Sequence, residues 1–180
     1  MKHRILIALV IAGFAVAPAG ASTFAVKAAY FMPGEQAFKD IYGAGLIYGG
    51  EIGFRIAGSV GLWVDGMFYS GKGKLTYTQE ETKLTLMPIG AGLRIDLTKG
   101  AAIIYAGGGA RYYTYKETNV IGTARKSGLG FVGLAGLEVR VVKGILLGLR
   151  GAYSSCSLTP ADFTINVGGL ELGGGLIFEF

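Results

Sequence analysis

The chain has 180 residues, of which 32 are Gly, 4 are Pro and 1 is Cys, with 51% hydrophobic, 12% aromatic and 16% charged residues and a formal net charge of +5. That length suits one domain, and the Gly follows no triplet period while the apolar content is high, which excludes a collagen-like or a disordered chain. Because each interior Gly costs a helix roughly 0.5–1 kcal/mol relative to Ala, many short strands are expected instead.

The chain opens with a basic start (Met1, Lys2, His3, Arg4), a run of thirteen apolar or Gly residues from Ile5 to Ala17, and the small-x-small site Ala19-Gly20-Ala21. This is the pattern of a cleaved export signal, too short for a membrane-spanning helix, so residues 1–21 are read as a signal peptide and residues 22–180 as one mature domain. Lys2 and Arg4 leave with it, so 17 basic residues become 15 against 12 acidic, a net charge of +3. That is too little to suggest nucleic acid as a partner. The sole histidine, His3, also leaves. The mature chain therefore cannot build a Ser-His-Asp or Cys-His site, a histidine-ligated zinc or any imidazole base. Cys156 stands alone beside Ser154, Ser155 and Ser157, with no cation to activate it, and reads as inert.

No stretch longer than 11 residues after the signal is free of Asp, Glu, Lys and Arg, so no apolar helix could cross a membrane. Apolar residues instead alternate with Gly and charged residues at period two, which predicts eight strands: Thr23 to Met32, Gly43 to Arg55, Val60 to Ser70, Lys83 to Leu97, Ala101 to Lys116, Ser127 to Val141, Ile145 to Cys156 and Phe163 to Phe180. In the first, Phe24, Val26, Ala28 and Tyr30 oppose Lys27; in the second, Leu46, Tyr48, Ile52 and Phe54 oppose Glu51 and Arg55. The later segments repeat this, and apolar and charged residues are expected never to share a parity.

The charged parity carries six cations (Lys27, Arg55, Arg94, Arg111, Arg140, Arg150) and six anions (Glu51, Asp65, Asp96, Glu138, Glu171, Glu179). It is also rich in Gly, including Gly49, Gly107, Gly136 and Gly173. Balanced charge and small neighbours suit a confined interior better than a solvated surface. The face pattern therefore predicts a barrel that is apolar outside and ion-paired inside, the reverse of a soluble ligand-binding barrel. Connections after the second, fourth and sixth strands are short, and the others run to roughly ten residues, as in outer-membrane barrels with short periplasmic turns and longer external loops. Pro88 falls inside the fourth strand, where it fits only near the rim or at a bulge.

The ending Gly175-Leu176-Ile177-Phe178-Glu179-Phe180 resembles the assembly signal of outer-membrane barrels. The strand Ile104-Tyr105-Ala106-Gly107-Gly108-Gly109-Ala110-Arg111-Tyr112-Tyr113 and the segment Leu134 to Arg140 resemble the outer membrane protein β-barrel domain family, the small opacity-like and OmpW-like barrels. The resemblance implies an all-β, eight-stranded, antiparallel, up-and-down transmembrane barrel in the bacterial outer membrane. It also implies that Gly175, Phe178 and Phe180 are read by the barrel-assembly machinery, and that outer-membrane lipids and lipopolysaccharide are the surroundings. Lipid A-modifying barrels use a catalytic His, which the mature chain lacks.

Gly128-Leu129-Gly130-Phe131-Val132-Gly133 has the G-x-G-x-x-G spacing but opens a strand and not a helix, so it is not read as a nucleotide site. Lys72, Lys74, Arg125 and Lys126 are placed in external loops, where they could meet lipopolysaccharide phosphates, although a solvated loop is the plainer reading. The expected protein is a monomer without cofactor, metal or enzymatic activity. Its role is structural or surface-interacting, and its lumen is filled by paired charges. A small channel or carrier for apolar or small solutes is the alternative.

Overall fold

The computed structural model describes residues 22–74, 80–120, 122–159 and 164–180. The predicted signal peptide and Phe163 lie outside them. The elements are β1 (Thr23–Pro33), α1 (Gln36–Tyr42), β2 (Gly45–Ala57), β3 (Val60–Lys74), β4 (Glu81–Asp96), β5 (Ala102–Asn119), β6 (Gly122–Val142), β7 (Ile145–Ser155), β8 (Ser157–Leu158), β9 (Ile165–Asn166) and β10 (Gly169–Glu179). Eight of these close a barrel in the order β1-β10-β7-β6-β5-β4-β3-β2, with every neighbouring pair antiparallel. Each strand pairs with its neighbour in the chain, and the seam joins β1 to β10, with Lys27 opposite Gly175 and Phe24 opposite Phe178. Closure pairs each barrel strand on both sides along the length it shares with its neighbours.

The outward parity is apolar and exposed, as at Leu46 (61%), Leu93 (52%), Phe131 (74%) and Leu149 (65%), while Lys27, Asp65, Arg111, Glu138 and Glu171 are buried inside. An exterior this greasy over a polar interior matches a wall that faces lipid. The tight turns at one end follow the sequence. β2 passes to β3 through Gly58-Ser59 and β6 to β7 through Lys143-Gly144, with Gly58 at φ 55 and Gly144 at φ 80, conformations in which a Cβ is strained. Register shifts at Arg55/Ala57 and Arg140/Val142 mark a bulge beside each turn.

The long-loop end departs from the sequence reading. Lys72, Lys74, Arg125 and Lys126 lie on β3 and β6 and not in loops, because the β5–β6 hairpin continues as an 18-residue and a 21-residue strand. Backbone pairing continues along Thr114 to Asn119 and Gly122 to Ser127, whose alternating residues suit a ladder as well as the membrane-facing part does. The last barrel strand starts at Gly169, since Ile165–Asn166 instead pairs with Ser157–Leu158 in a small separate sheet. Cys156 accordingly lies just beyond β7.

The first loop contains α1, a helix that the period-two pattern did not reveal. Phe38 and Tyr42 are four residues apart on its buried face, their ring centroids 5.2 Å apart, and they insert into the barrel mouth. The Tyr69 hydroxyl reaches the Tyr42 and Gly43 carbonyls at 3.4 and 3.3 Å and ties the helix to β3.

The rule that charged and apolar residues never share a parity fails at this end. Phe31, Ile47, Met67, Tyr69, Leu84, Leu86 and Tyr113 point inward, on the parity of the buried charges, and pack with Phe38, Tyr42 and Val167. Pro88 borders this layer and is fully buried. The β3–β4 ladder breaks around it, between the pairs Gly66–Ile89 and Tyr69–Leu86, as expected where a backbone N–H is missing.

Candidate functional site in the lumen

The interior below the apolar layer is built on register. Each of four inward cations has a Gly opposite it on both neighbouring strands: Lys27 between Gly49 and Gly175, Arg94 between Gly61 and Gly107, Arg111 between Gly90 and Gly130, and Arg150 between Gly136 and Gly173. A long side chain rising from a pleated wall needs room beside its stem, and the glycines supply it.

These side chains form a continuous chain of ion pairs. Lys27 Nζ lies 2.5 Å from Glu51 Oε2, and Arg150 bridges Glu51 Oε2 and Asp65 Oδ2 at 3.1 Å each. Arg111 bridges Asp65 Oδ2 at 2.6 Å and Glu171 Oε1 at 2.5 Å. Three cations thus meet three carboxylates, the balance that makes burial of so much charge tolerable. Among the described residues, Asp65 Oδ1 and the Nε atoms of Arg111 and Arg150 have no hydrogen-bond partner. Trp63 lies beside the chain, its ring centroid 5.8 Å from the Arg150 guanidinium, and its indole N–H donates to the Leu93 carbonyl at 3.3 Å.

A second group lies nearer the short turns. Arg94 engages both oxygens of Glu138 at 2.7 and 3.0 Å and Oδ1 of Asp96 at 2.7 Å, while its guanidinium stacks 4.0 Å above the Tyr105 ring. Arg140 pairs with Glu179 at 2.6 Å close to the rim, where both side chains are partly exposed. Eleven of the twelve charged residues singled out from the sequence therefore sit in ion pairs. Arg55 is the exception. It is exposed beside the Arg55/Ala57 register shift, and among the described residues it makes no ion pair, although it lines the short-turn mouth together with Arg94, Asp96 and Glu179.

At the short-turn mouth a cavity of about 40 Å³ opens beside Arg55, Arg94 and Glu138. A cavity of about 20 Å³ beside Lys27, Arg150 and Glu171 is room for about one water molecule. At the opposite mouth, Thr82 links α1 to β5: its hydroxyl lies 3.3 Å from that of Tyr42 and donates to Glu117 Oε1 at 3.0 Å. Burial pushes the Tyr42 phenol above its ordinary value and does the same to the Cys156 thiol, so neither is an activated nucleophile. Among the described residues no group of three His, Cys, Asp or Glu side chains is placed to hold a metal ion. At the seam, Phe178 stacks on Phe24 with centroids 6.5 Å apart, Gly175 faces Lys27, and Phe180 is exposed.

A closed antiparallel barrel of eight strands with a lipid-compatible exterior and a side-chain-filled interior is a transmembrane β-barrel of the outer-membrane type. Solved structures of such barrels align with nearly the whole chain. Neisserial surface protein A aligns at 21% identity with a TM-score of 0.65, covering 88% of this chain and 96% of that one. Escherichia coli outer membrane protein W aligns at 13% identity with a TM-score of 0.56, covering 90% and 98%. Ail, the attachment invasion locus protein of Yersinia pestis, solved with the heparin analogue sucrose octasulfate, aligns at 16% identity with a TM-score of 0.55, covering 88% and 99%. At these identities the likeness is one of fold. No family model and no curated protein matches the chain.

Proposed function

We propose that the protein is a non-enzymatic, monomeric integral barrel of the bacterial outer membrane, delivered by the signal peptide at residues 1–21, with a structural or surface-interaction role and a closed lumen. The observation that carries this reading is the filled interior, in which an apolar layer capped by α1 lies over the Lys27–Glu51–Arg150–Asp65–Arg111–Glu171 chain. In this reading the lumen is closed, so the parts free to act on other molecules are the outer wall and the exposed ends. The names of two fold neighbours, a surface protein and an attachment protein, accord with work done at the cell surface. In this reading Gly175, Phe178 and Phe180 serve the barrel-assembly machinery as the signal on the closing strand.

The alternative, a channel or carrier for apolar or small solutes, draws support from the apolar layer around Phe31, Met67 and Leu86. A solute crossing from there would have to part the ion-pair chain beneath. Conductance across a planar lipid bilayer separates the two: the closed barrel shows no steady openings, and reproducible unitary currents would overturn the reading.

A further inference from the structure

On β3, β4, β5 and β6 the outward face changes character at one level. Outward apolar residues end at Phe68, Met87, Tyr112 and Leu129, the next outward positions are the hydroxyl residues Ser70, Thr85, Thr114 and Ser127, and the positions after those are Lys72, Lys83, Lys116 and Arg125. Pairing brings these cations together. Lys72 lies directly opposite Lys83, and Lys116 directly opposite Arg125. Lys83 faces Thr118, which places it diagonally next to Lys116, so the four form an unbroken line across the sheet. All four are exposed, and none makes an ion pair among the described residues. Lys74 extends the line, opposite Glu81. Lys126, on the inward parity, is not part of it.

Like charges directly opposite each other on one sheet face are unfavourable, and two such pairs in a row leave the fold in need of an external anion. We propose that this strip binds the phosphate groups of a phosphorylated glycolipid in the adjoining membrane leaflet. The strip faces sideways from the barrel wall, not upward from a loop tip, and it stands one hydroxyl row above the apolar band. The hydroxyl row and then the cations meet the region where lipid chains give way to charged headgroups. Lys ammonium groups supply point charges and Arg125 a forked pair of donors, both suited to phosphate oxygens.

The inference rests on the membrane-barrel reading, so insertion of the mature chain into phosphatidylcholine vesicles is scored first. A chain that stays in the aqueous phase sinks both readings, whereas one that inserts without any phosphate-dependent effect sinks the strip alone. The test itself is the rise in unfolding temperature as diphosphorylated lipid A is titrated into zwitterionic micelles. A saturable rise is expected, weakened by salt and missing with the dephosphorylated lipid. Because each cation near an anionic lipid surface strengthens binding by roughly fivefold, Lys83→Gln with Lys116→Gln weakens the apparent affinity by about twenty-fivefold. Lys99→Gln with Lys143→Gln, at the short turns, leaves it unchanged. Without lipid A, the Lys83/Lys116 variant folds at least as well as the parent because a like-charge contact has been relieved. An unchanged affinity in that variant, equal binding of the dephosphorylated lipid, or collapse of the variant in lipid-free micelles would overturn the proposal. So would an equal response to a soluble polysulfated saccharide, which would make the strip a site for free polyanions.

Discussion

Replacing Arg111 with Met tests the logic of the lumen most directly. The Arg111 side chain is fully buried and holds both Asp65, at 2.6 Å, and Glu171, at 2.5 Å. Without it Asp65 keeps Arg150 at 3.1 Å, but Glu171 loses its only ion-pair partner among the described residues. A buried carboxylate stripped of its cation costs about 3–5 kcal/mol. Arg150→Met is the internal control: Glu51 keeps Lys27 at 2.5 Å, Asp65 keeps Arg111 at 2.6 Å, and the Arg150 side chain is 10% exposed to begin with. No anion is orphaned, so the cost falls to about 1.5–3 kcal/mol, the size of a lost charge-assisted hydrogen bond. The gap of about 2 kcal/mol is roughly a thirtyfold difference in the unfolding equilibrium. Reversible urea unfolding in phospholipid vesicles measures it, with equal m-values as the check that only the folded state has changed. Adding Glu171→Gln to Arg111→Met should recover part of the loss. If Arg150→Met proves as damaging as Arg111→Met, the orphaned-carboxylate account is wrong.

Gly90→Ala places a Cβ 2.5 Å from Arg111 Cγ and 2.8 Å from Asp65 Oδ1, so a loss of about 1–3 kcal/mol is expected in the same unfolding assay. Gly133→Ala, on the outer wall with nothing within 4 Å of its Cβ, serves as the near-neutral comparison. Leu149→Arg, at an outward position 65% exposed, costs about 2–4 kcal/mol if that wall meets the middle of a bilayer. Lys99→Glu, exposed in a short turn, should leave the yield of heat-modifiable folded protein unaltered, and comparable losses in the two variants would contradict the assigned orientation. Cys156 is 2% exposed and its thiol is held protonated by burial, so maleimide labelling should be slow in the folded barrel and rapid in urea.

The strands were legible because a two-sided wall imposes a strict period on the sequence: Leu46, Tyr48 and Ile52 on one parity against Glu51 on the other leaves one register open. Which charge meets which was not legible. Arg150 and Glu51 are 99 positions apart in the chain, and barrel closure alone brings them within 3.1 Å. The apolar layer does carry a sequence signal, since Phe31, Ile47 and Met67 share the parity of Lys27, Glu51 and Asp65. Helix α1 was hidden because seven residues are too few to show a 3.6-residue period, and its two anchors, Phe38 and Tyr42, look like loop aromatics until a pocket receives them. Arg55 carried the right parity and keeps its ladder partner Gly61, but it stands near the end of β2 where the barrel opens at the rim, and hydrophobic alternation does not mark how far along a strand the rim falls.

The six members of the central ion-pair chain come from six different strands, β1, β2, β3, β5, β7 and β10, the first and last to leave the assembly line among them. A sheet that still lacks β10 holds Arg111 with Asp65 but without Glu171, so that its buried charges are unevenly matched. Only when the final hairpin docks does the electrical account balance, so the lumen works as a latch that rewards completion and disfavours every partly zipped intermediate.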